Sequence, residues 1–353
     1  MLNAGMQRLR YSNDGTGGYT RIKKGRGYCY LNAEKKLITD KEVINRIKKL
    51  VIPPAWKNVW INPDEMGHLQ ATGYDDRGRK QYLYHPIWNE MREKHKIDRI
   101  LAFGKALPSL RQAIVTDRRQ RNLGKERVSA IALSVMEDTL MRAGNDRYRR
   151  ENNSYGLTTL RSRHVNIEGQ VVTFNFRGKK GIKHSIRLSD RSLAKRLREV
   201  MEIPGQEIFQ YYNDDNEICS LDSGNLNEYI QSHTGQHFTS KDFRTWYATL
   251  WAFKYLIELN QEACKAKSYK KDLNACLDFV AKKLGNTRAV CRASYVCNDL
   301  IDAYLEDGLQ SYRPKKPARA KTPLTVHELE PQLLKFLKRI KKNKMAAQVT
   351  QRD

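Results

Sequence analysis

Four side chains in this 353-residue sequence are of types that could do chemistry: two arginines, a lysine and a tyrosine. Arg142 lies seven residues after Val135 and eleven after Ile131. At ~100° per residue both apolar residues fall within about 20° of Arg142, one on either side, on a helix predicted over 125–143 and stopped by Gly144. A guanidinium that ends an apolar stripe is either a C-terminal cation favoured by the helix dipole, with its stem snorkelling, or a forked grip for phosphate aimed into a cleft. Arg244 falls in the first turn of a helix predicted over 241–259 and opened by the capping pattern Thr239-Ser240-Lys241-Asp242. A cation there is mildly unfavourable unless an anion arrives, and helix N–H groups together with Arg244 suit that anion. Lys179 sits at the tip of a predicted hairpin, strands VVTFNF and IKHSIRL around Arg177-Gly178-Lys179-Lys180-Gly181. Solvated turn lysines are the ordinary case at such tips. Tyr295 lies on a helix predicted over 288–307 that buries Val290, Ser294, Cys297 and Ile301, and it faces the more polar side with Cys291, Asn298 and Asp302. A half-exposed tyrosine there is a rim residue or, when activated, a nucleophile.

The rest of the chain must hold these groups near a polyanion. Lys and Arg number 65 against 39 Asp and Glu, a formal net charge of +26, which points to nucleic acid. Residues 313–353 carry twelve basic and three acidic residues, so the excess is shared between this tail and the body. Binding is expected to weaken steeply with salt, because each phosphate contact releases a counterion. The length suggests two domains. Residues 1–18 read as a loose polar segment. Residues 19–116 read as a sheet-rich lobe with helices at 86–96 and 105–116, 117–123 as a charged linker, 124–312 as a mainly helical domain, and 313–353 as a basic tail with a helix over 325–342. Further helices are predicted at 189–200, 222–235 and 270–284. The fold class expected is α+β.

Several chemistries lack their residues. The nearest approach to a nucleotide-binding phosphate loop, Gly73 to Lys80, has its lysine one place late and no following Ser or Thr. No D-x-D pair offers a two-metal site, and Asp75-Asp76 and Asp214-Asp215 read as solvated turns. A chain of this kind that cuts DNA is expected to do so with no ATP, metal or other cofactor. The six cysteines include no C-x-x-C and no zinc spacing, and they read as reduced thiols. No apolar stretch approaches the ~18 residues of a membrane span, and the first residues lack a signal-peptide core, so no membrane contact and no secretion are expected.

The same four positions fall, in order, on the signature of one family. The sequence resembles the type IB DNA topoisomerases of the small poxvirus and bacterial kind. The match is carried by Ile52-Pro-Pro-Ala-Trp-Lys57 with Val59-Trp60-Ile61, by Gly67-His-Leu-Gln-Ala-Thr-Gly73, and by Arg77-Gly-Arg-Lys-Gln-Tyr-Leu-Tyr-His-Pro86. It continues in Met141-Arg-Ala-Gly-Asn145 with Tyr148, Ser154-Tyr-Gly-Leu-Thr-Thr-Leu160, Phe176-Arg-Gly-Lys179, Ser240-Lys-Asp-Phe-Arg-Thr-Trp246, Leu284-Gly-Asn-Thr287 and Cys291-Arg-Ala-Ser-Tyr295. The set spans about residues 19–308.

The resemblance implies a sheet-rich N-terminal lobe and a helical catalytic domain that close around double-stranded DNA as a monomeric clamp. It implies Tyr295 as the nucleophile of a 3′-phosphotyrosyl bond, Arg142 and Arg244 on the non-bridging oxygens, and Lys179 as the acid for the departing 5′-oxygen. Asn286 falls where many members carry His; it can donate a hydrogen bond but carries no charge. Lys80, Gln81, Tyr82, Tyr84, Tyr148 and Lys241 are the implied DNA contacts. The phosphotyrosine conserves the bond energy, so no nucleotide is needed, and the setting implied is cytoplasmic, at the nucleoid, or viral. Departures are Arg288 for Pro, Ala293 for Lys, and Cys297-Asn298 for His-Pro. Two alternatives share parts of the pattern. A tyrosine recombinase has the same Arg, Lys, Arg and Tyr layout, but usually with His where Lys241 stands. A non-catalytic architectural DNA binder would keep the charge and have no need of the four catalytic groups.

Overall fold

The computed structural model describes residues 9–15, 17–25, 27–76, 78, 80–259, 269–306, 309–312 and 325–350. They form two compact units that divide between Lys96 and Ile97. The first holds strands β1 (Tyr19–Lys24) and β2 (Gly27–Leu31), helix α1 (Lys41–Lys49), and strands β3 (Lys57–Ile61), β4 (Leu69–Tyr74) and β5 (Lys80–Tyr84). The strands pair antiparallel in the order β2-β1-β3-β4-β5. Asp40 caps α1, accepting from the Glu42 N–H at 2.8 Å, and the helix buries Ile47 with Tyr30, Val59, Ile61 and Ala71. Residues 1–18, expected to be loose, are attached where they are described. The Arg10 N–H donates to the Met66 carbonyl at 2.8 Å, and the Tyr11 ring stacks on His68 at 4.3 Å.

Helix α2 (Pro86–Asp117) is continuous where two helices are predicted. The division into units falls within it, not at 117–123. Those charged residues are tied into the second unit: Tyr229 Oη donates to Asp117 at 2.6 Å, Arg196 Nε to the Arg118 carbonyl at 2.8 Å, and the Tyr212 N–H to the Leu123 carbonyl at 3.0 Å. A charged run reads as a linker in sequence because its partners are distant in the chain.

The second unit is built on α3 (Lys125–Thr139), which is buried on every side from Arg127 to Met136, not amphipathic as expected. Around it lie α4 (Asp146–Asn152), an antiparallel sheet of β6 (Val165–Glu168), β7 (Val171–Arg177) and β8 (Lys183–Ser189), and helix α5 (Arg191–Met201). A small hairpin follows, β9 (Gln210–Tyr212) and β10 (Ile218–Ser220), and then helices α6 (Ser223–Thr234), α7 (Ser240–Leu259), α8 (Tyr269–Leu284), α9 (Arg288–Ser294), α10 (Asn298–Leu305) and α11 (Glu330–Thr350). The predicted hairpin is present with Arg177 opposite Lys183, and β6, absent from the sequence reading, extends it.

The tail's helix is part of this core. Leu333, Phe336 and Leu337 on α11 are buried, with the Phe336 ring 5.8 Å from Phe253 and 5.4 Å from Tyr312. Glu330 pairs with Arg111 at 2.7 Å; burial pushes its carboxyl up, but Arg111 and His327 draw it down to about 2. Phe336→Ala is expected to lower stability by ~3–5 kcal/mol, the usual cost of emptying a buried aromatic site. Urea denaturation checks this, and an unchanged midpoint would mean that α11 is only appended.

Candidate active site

Arg244 is placed by the anchoring of the α7 N-terminus. Asp242 accepts from the Thr239 N–H at 2.8 Å and from Arg99 Nε at 2.6 Å, and Phe243 packs edge-on to Phe103. One turn into the helix, Arg244 is only 3% exposed. Its guanidinium donates to the Leu140 carbonyl and, at 2.8 Å, to the Leu284 carbonyl. Those carbonyls end α3 and α8, so one arginine fixes both loops that carry the next two groups.

The first of these loops carries Arg142, which is not helical as the periodicity suggested. Helix α3 stops at Thr139, whose hydroxyl bonds back to the Val135 carbonyl at 2.6 Å, and Leu140 turns left-handed at φ 53°. The chain then runs beside 156–159, with the Leu157 N–H donating to the Arg142 carbonyl at 2.8 Å. Gly156 permits this approach: a Cβ there would lie 2.6 Å from the Gly144 Cα. Arg142 donates to the Asn286 side-chain carbonyl and, at 3.4 Å, to the Gly285 carbonyl. Gly285 adopts φ +57° and ends α8, which sets Asn286 in the pocket. Among the described residues, the buried Nε–H of Arg244 and the Nδ2–H of Asn286 have no hydrogen-bond partner. Buried donors left unpaired cost free energy, and an anion's oxygens would satisfy them.

Tyr295 occupies a break, not the face of a continuous helix. Helix α9 ends at Ser294, Tyr295 leaves the helical region at φ −124°, ψ −52°, and α10 restarts after Cys297. Thr249 on α7 pins the break, its hydroxyl donating to the Tyr295 carbonyl at 3.3 Å. The ring is 9% exposed, more buried than the half-exposed position that the helix pattern suggests. It lies 5.2 Å from the Arg244 guanidinium carbon and 6.0 Å from Lys241 Nζ. Burial pushes the phenol's pKa up, but the charge and hydrogen bonding of Arg244, then Arg142 and Lys241, outweigh it and bring it below the ordinary value.

Lys179 stands exposed at the tip between β7 and β8. The hairpin reaches the pocket through His184, a residue the sequence reading passed over. Its ring stacks on Phe176 at 5.0 Å, and a Cβ on Gly178 or Gly285 would come within 2.6 and 2.3 Å of it. Its signal was the period-two pattern of β8, which turns His184, Ile186 and Leu188 to the less exposed side. Cys291, also unassigned, is buried in the same pocket, its thiol pushed up by burial.

The expected DNA contacts of the first unit lie on edge strand β5. Tyr82 is exposed, and its ring lies 6.2 Å from that of Tyr84. Gln81 donates to Asp75 at 3.0 Å. Lys80 pairs with Asp14 at 2.5 Å, and that hydrogen bond raises its pKa. The Tyr148 side chain lies outside the described residues.

A phenol drawn toward its anion, with fixed cations and unpaired N–H donors beside it, suits phosphoryl transfer to tyrosine. Residues 85–307 match the catalytic core of eukaryotic DNA topoisomerase I, and residues 27–75 match the N-terminal domain of bacterial DNA topoisomerase IB. The DNA topoisomerase 1B of Acanthamoeba polyphaga mimivirus is 35% identical over 293 residues, covering 81% of this chain and 87% of that protein. The DNA topoisomerase 1B of vaccinia virus, strain Copenhagen, is 22% identical over 74% of this chain and 81% of that protein. A solved pre-cleavage complex of XerH site-specific recombinase with its difH substrate aligns with 54% of this chain and 48% of that chain, at 15% identity and a TM-score of 0.34. The chain belongs to the type IB DNA topoisomerase family. It is an isomerase whose partner is DNA, and the recombinase alternative is not favoured.

Proposed function

We propose that Tyr295 is the nucleophile of this topoisomerase. Its phenolic oxygen attacks the scissile phosphorus, the P–O5′ bond breaks, and a 3′-phosphotyrosyl ester forms. Arg142, Arg244 and Asn286 hold the non-bridging oxygens, where negative charge accumulates in the transition state. Lys179 gives its proton to the departing 5′-oxygen and takes it back when that hydroxyl reseals the strand. One phosphodiester replaces another, so the swivel and resealing draw on no nucleotide and use no metal. Lys241 and Tyr148, with Lys80, Gln81, Tyr82 and Tyr84 of the first unit, contact the duplex, Lys80 exchanging Asp14 for a phosphate. The enzyme acts as a monomeric clamp in a cytoplasmic, nucleoid or viral setting. The observation that carries this reading is the pair of buried, unpartnered N–H donors, on Arg244 and Asn286, beside a tyrosine with a lowered pKa. The chain is expected to relax both positively and negatively supercoiled plasmid in EDTA without ATP. Gel analysis that finds neither relaxed would sink the proposal.

A further inference from the structure

A groove of about 510 Å³ opens beside the hairpin that carries Lys179. One wall is the tip end of that hairpin, with Arg177, Lys183 and His184; the other is the preceding segment, with Tyr155, Arg163 and His164. The floor is aromatic. The Tyr155 and His164 rings meet edge-on at 4.3 Å, and Phe176 and His184 stack at 5.0 Å. The rim is cationic, and among the described residues no carboxylate lines the groove. Arg163 is held in place by the Tyr155 hydroxyl at 3.0 Å.

Arg177 and Lys183 stand directly opposite each other across β7 and β8. Like charges in that relation repel. Among the described residues neither has an acidic partner. An anion between them would remove the repulsion. Cations along a rim above aromatic faces are the chemistry that holds a nucleic-acid strand by its phosphates and bases.

We infer that this groove holds the strand that leaves, the one ending in the 5′-hydroxyl, and keeps that end near the tyrosyl ester. The assignment rests on the proposed role of Lys179. Arg177 precedes Lys179 by two residues, about 7 Å of extended chain, so the strand whose 5′-oxygen meets Lys179 passes the groove next. The groove is therefore a religation subsite that adjoins, through His184, the pocket that grips the scissile phosphate.

The test uses the full chain carrying both Arg177→Ala and Lys183→Ala. Covalent adduct is formed on a suicide duplex, and its transfer to a 5′-hydroxyl acceptor oligonucleotide is followed against acceptor concentration. The acceptor concentration for half-maximal transfer is expected to rise by about tenfold more than the cleavage rate falls, because two phosphate contacts are lost. The charge-conserving pair Arg177→Lys and Lys183→Arg is expected to restore transfer. Supercoils removed per cleavage event are expected to increase. Unchanged acceptor dependence, or equal losses in cleavage and transfer, overturns the subsite while leaving the nucleophile in place. If the unaltered chain forms no adduct, the transesterification reading itself fails and takes the subsite with it.

Discussion

Tyr295→Phe is expected to bind duplex DNA with near-normal affinity and to form no covalent adduct. Loss of the nucleophile removes the reaction's first bond, and comparable deletions lower turnover by roughly 10⁶-fold. The fold should tolerate the change. The ring sits in the break between α9 and α10, and the break is held by the backbone, through the Thr249 hydroxyl at 3.3 Å from the Tyr295 carbonyl. Arg142 and Arg244 remain to hold phosphate, so binding and chemistry separate. Denaturing gels of the reaction with labelled DNA check this; an adduct that survives would place the nucleophile elsewhere. The unaltered enzyme adds a pH signature. Arg244, Arg142 and Lys241 lower the phenol's pKa. The phenolate is the attacking form, so the cleavage rate should rise with pH and level off below the ~10 of a free phenol. Lys241→Ala should move that inflection upward, because it removes a cation 6.0 Å from the ring centroid.

The groups of this site were more legible in the sequence than their geometry. Arg244 could be placed because a capping pattern fixes a helix start within a residue or two, and a cation at that end conflicts with the dipole. Lys179 could be placed because a strand pattern on each side of glycines defines a hairpin tip. Helical periodicity places Arg142 on a helical face that does not exist. The Thr139 hydroxyl and the left-handed Leu140 end α3 early, and helical periodicity carries no trace of such a stop. Tyr295 reads as part of a continuous helix for a similar reason: its break is held by Thr249, 46 residues away in the chain. His184 was missed because its role comes from contacts with Gly178 and Gly285, which only tertiary structure brings together. The family signature supplied the order of the groups. Packing across α3, α7 and α8 brings Arg142, Arg244, Asn286 and Tyr295 together.

Lys179→Ala is expected to slow cleavage of ordinary DNA by roughly 10²–10⁴-fold, the usual contribution of a general acid. A 5′-alkoxide is a poor leaving group, and the lysine's proton is what lets it depart. On a duplex with a 5′-bridging phosphorothiolate at the scissile position the loss should largely vanish, since a thiolate leaves without a proton. The comparison isolates proton transfer from any structural damage to the hairpin. A hairpin displaced by the substitution would slow both substrates, because His184 links its tip end to the Gly285–Asn286 turn and hence to the phosphate pocket. The substitution is expected to leave that linkage intact, because the Lys179 side chain is exposed while Gly178 and Phe176 make the packing. Equal rates of cleavage for the variant and the unaltered enzyme on the sulfur substrate, with a large gap on the oxygen one, are the expected pair. A gap of the same size on both would remove Lys179 from the acid role and leave the hairpin with a purely structural part in assembling the site.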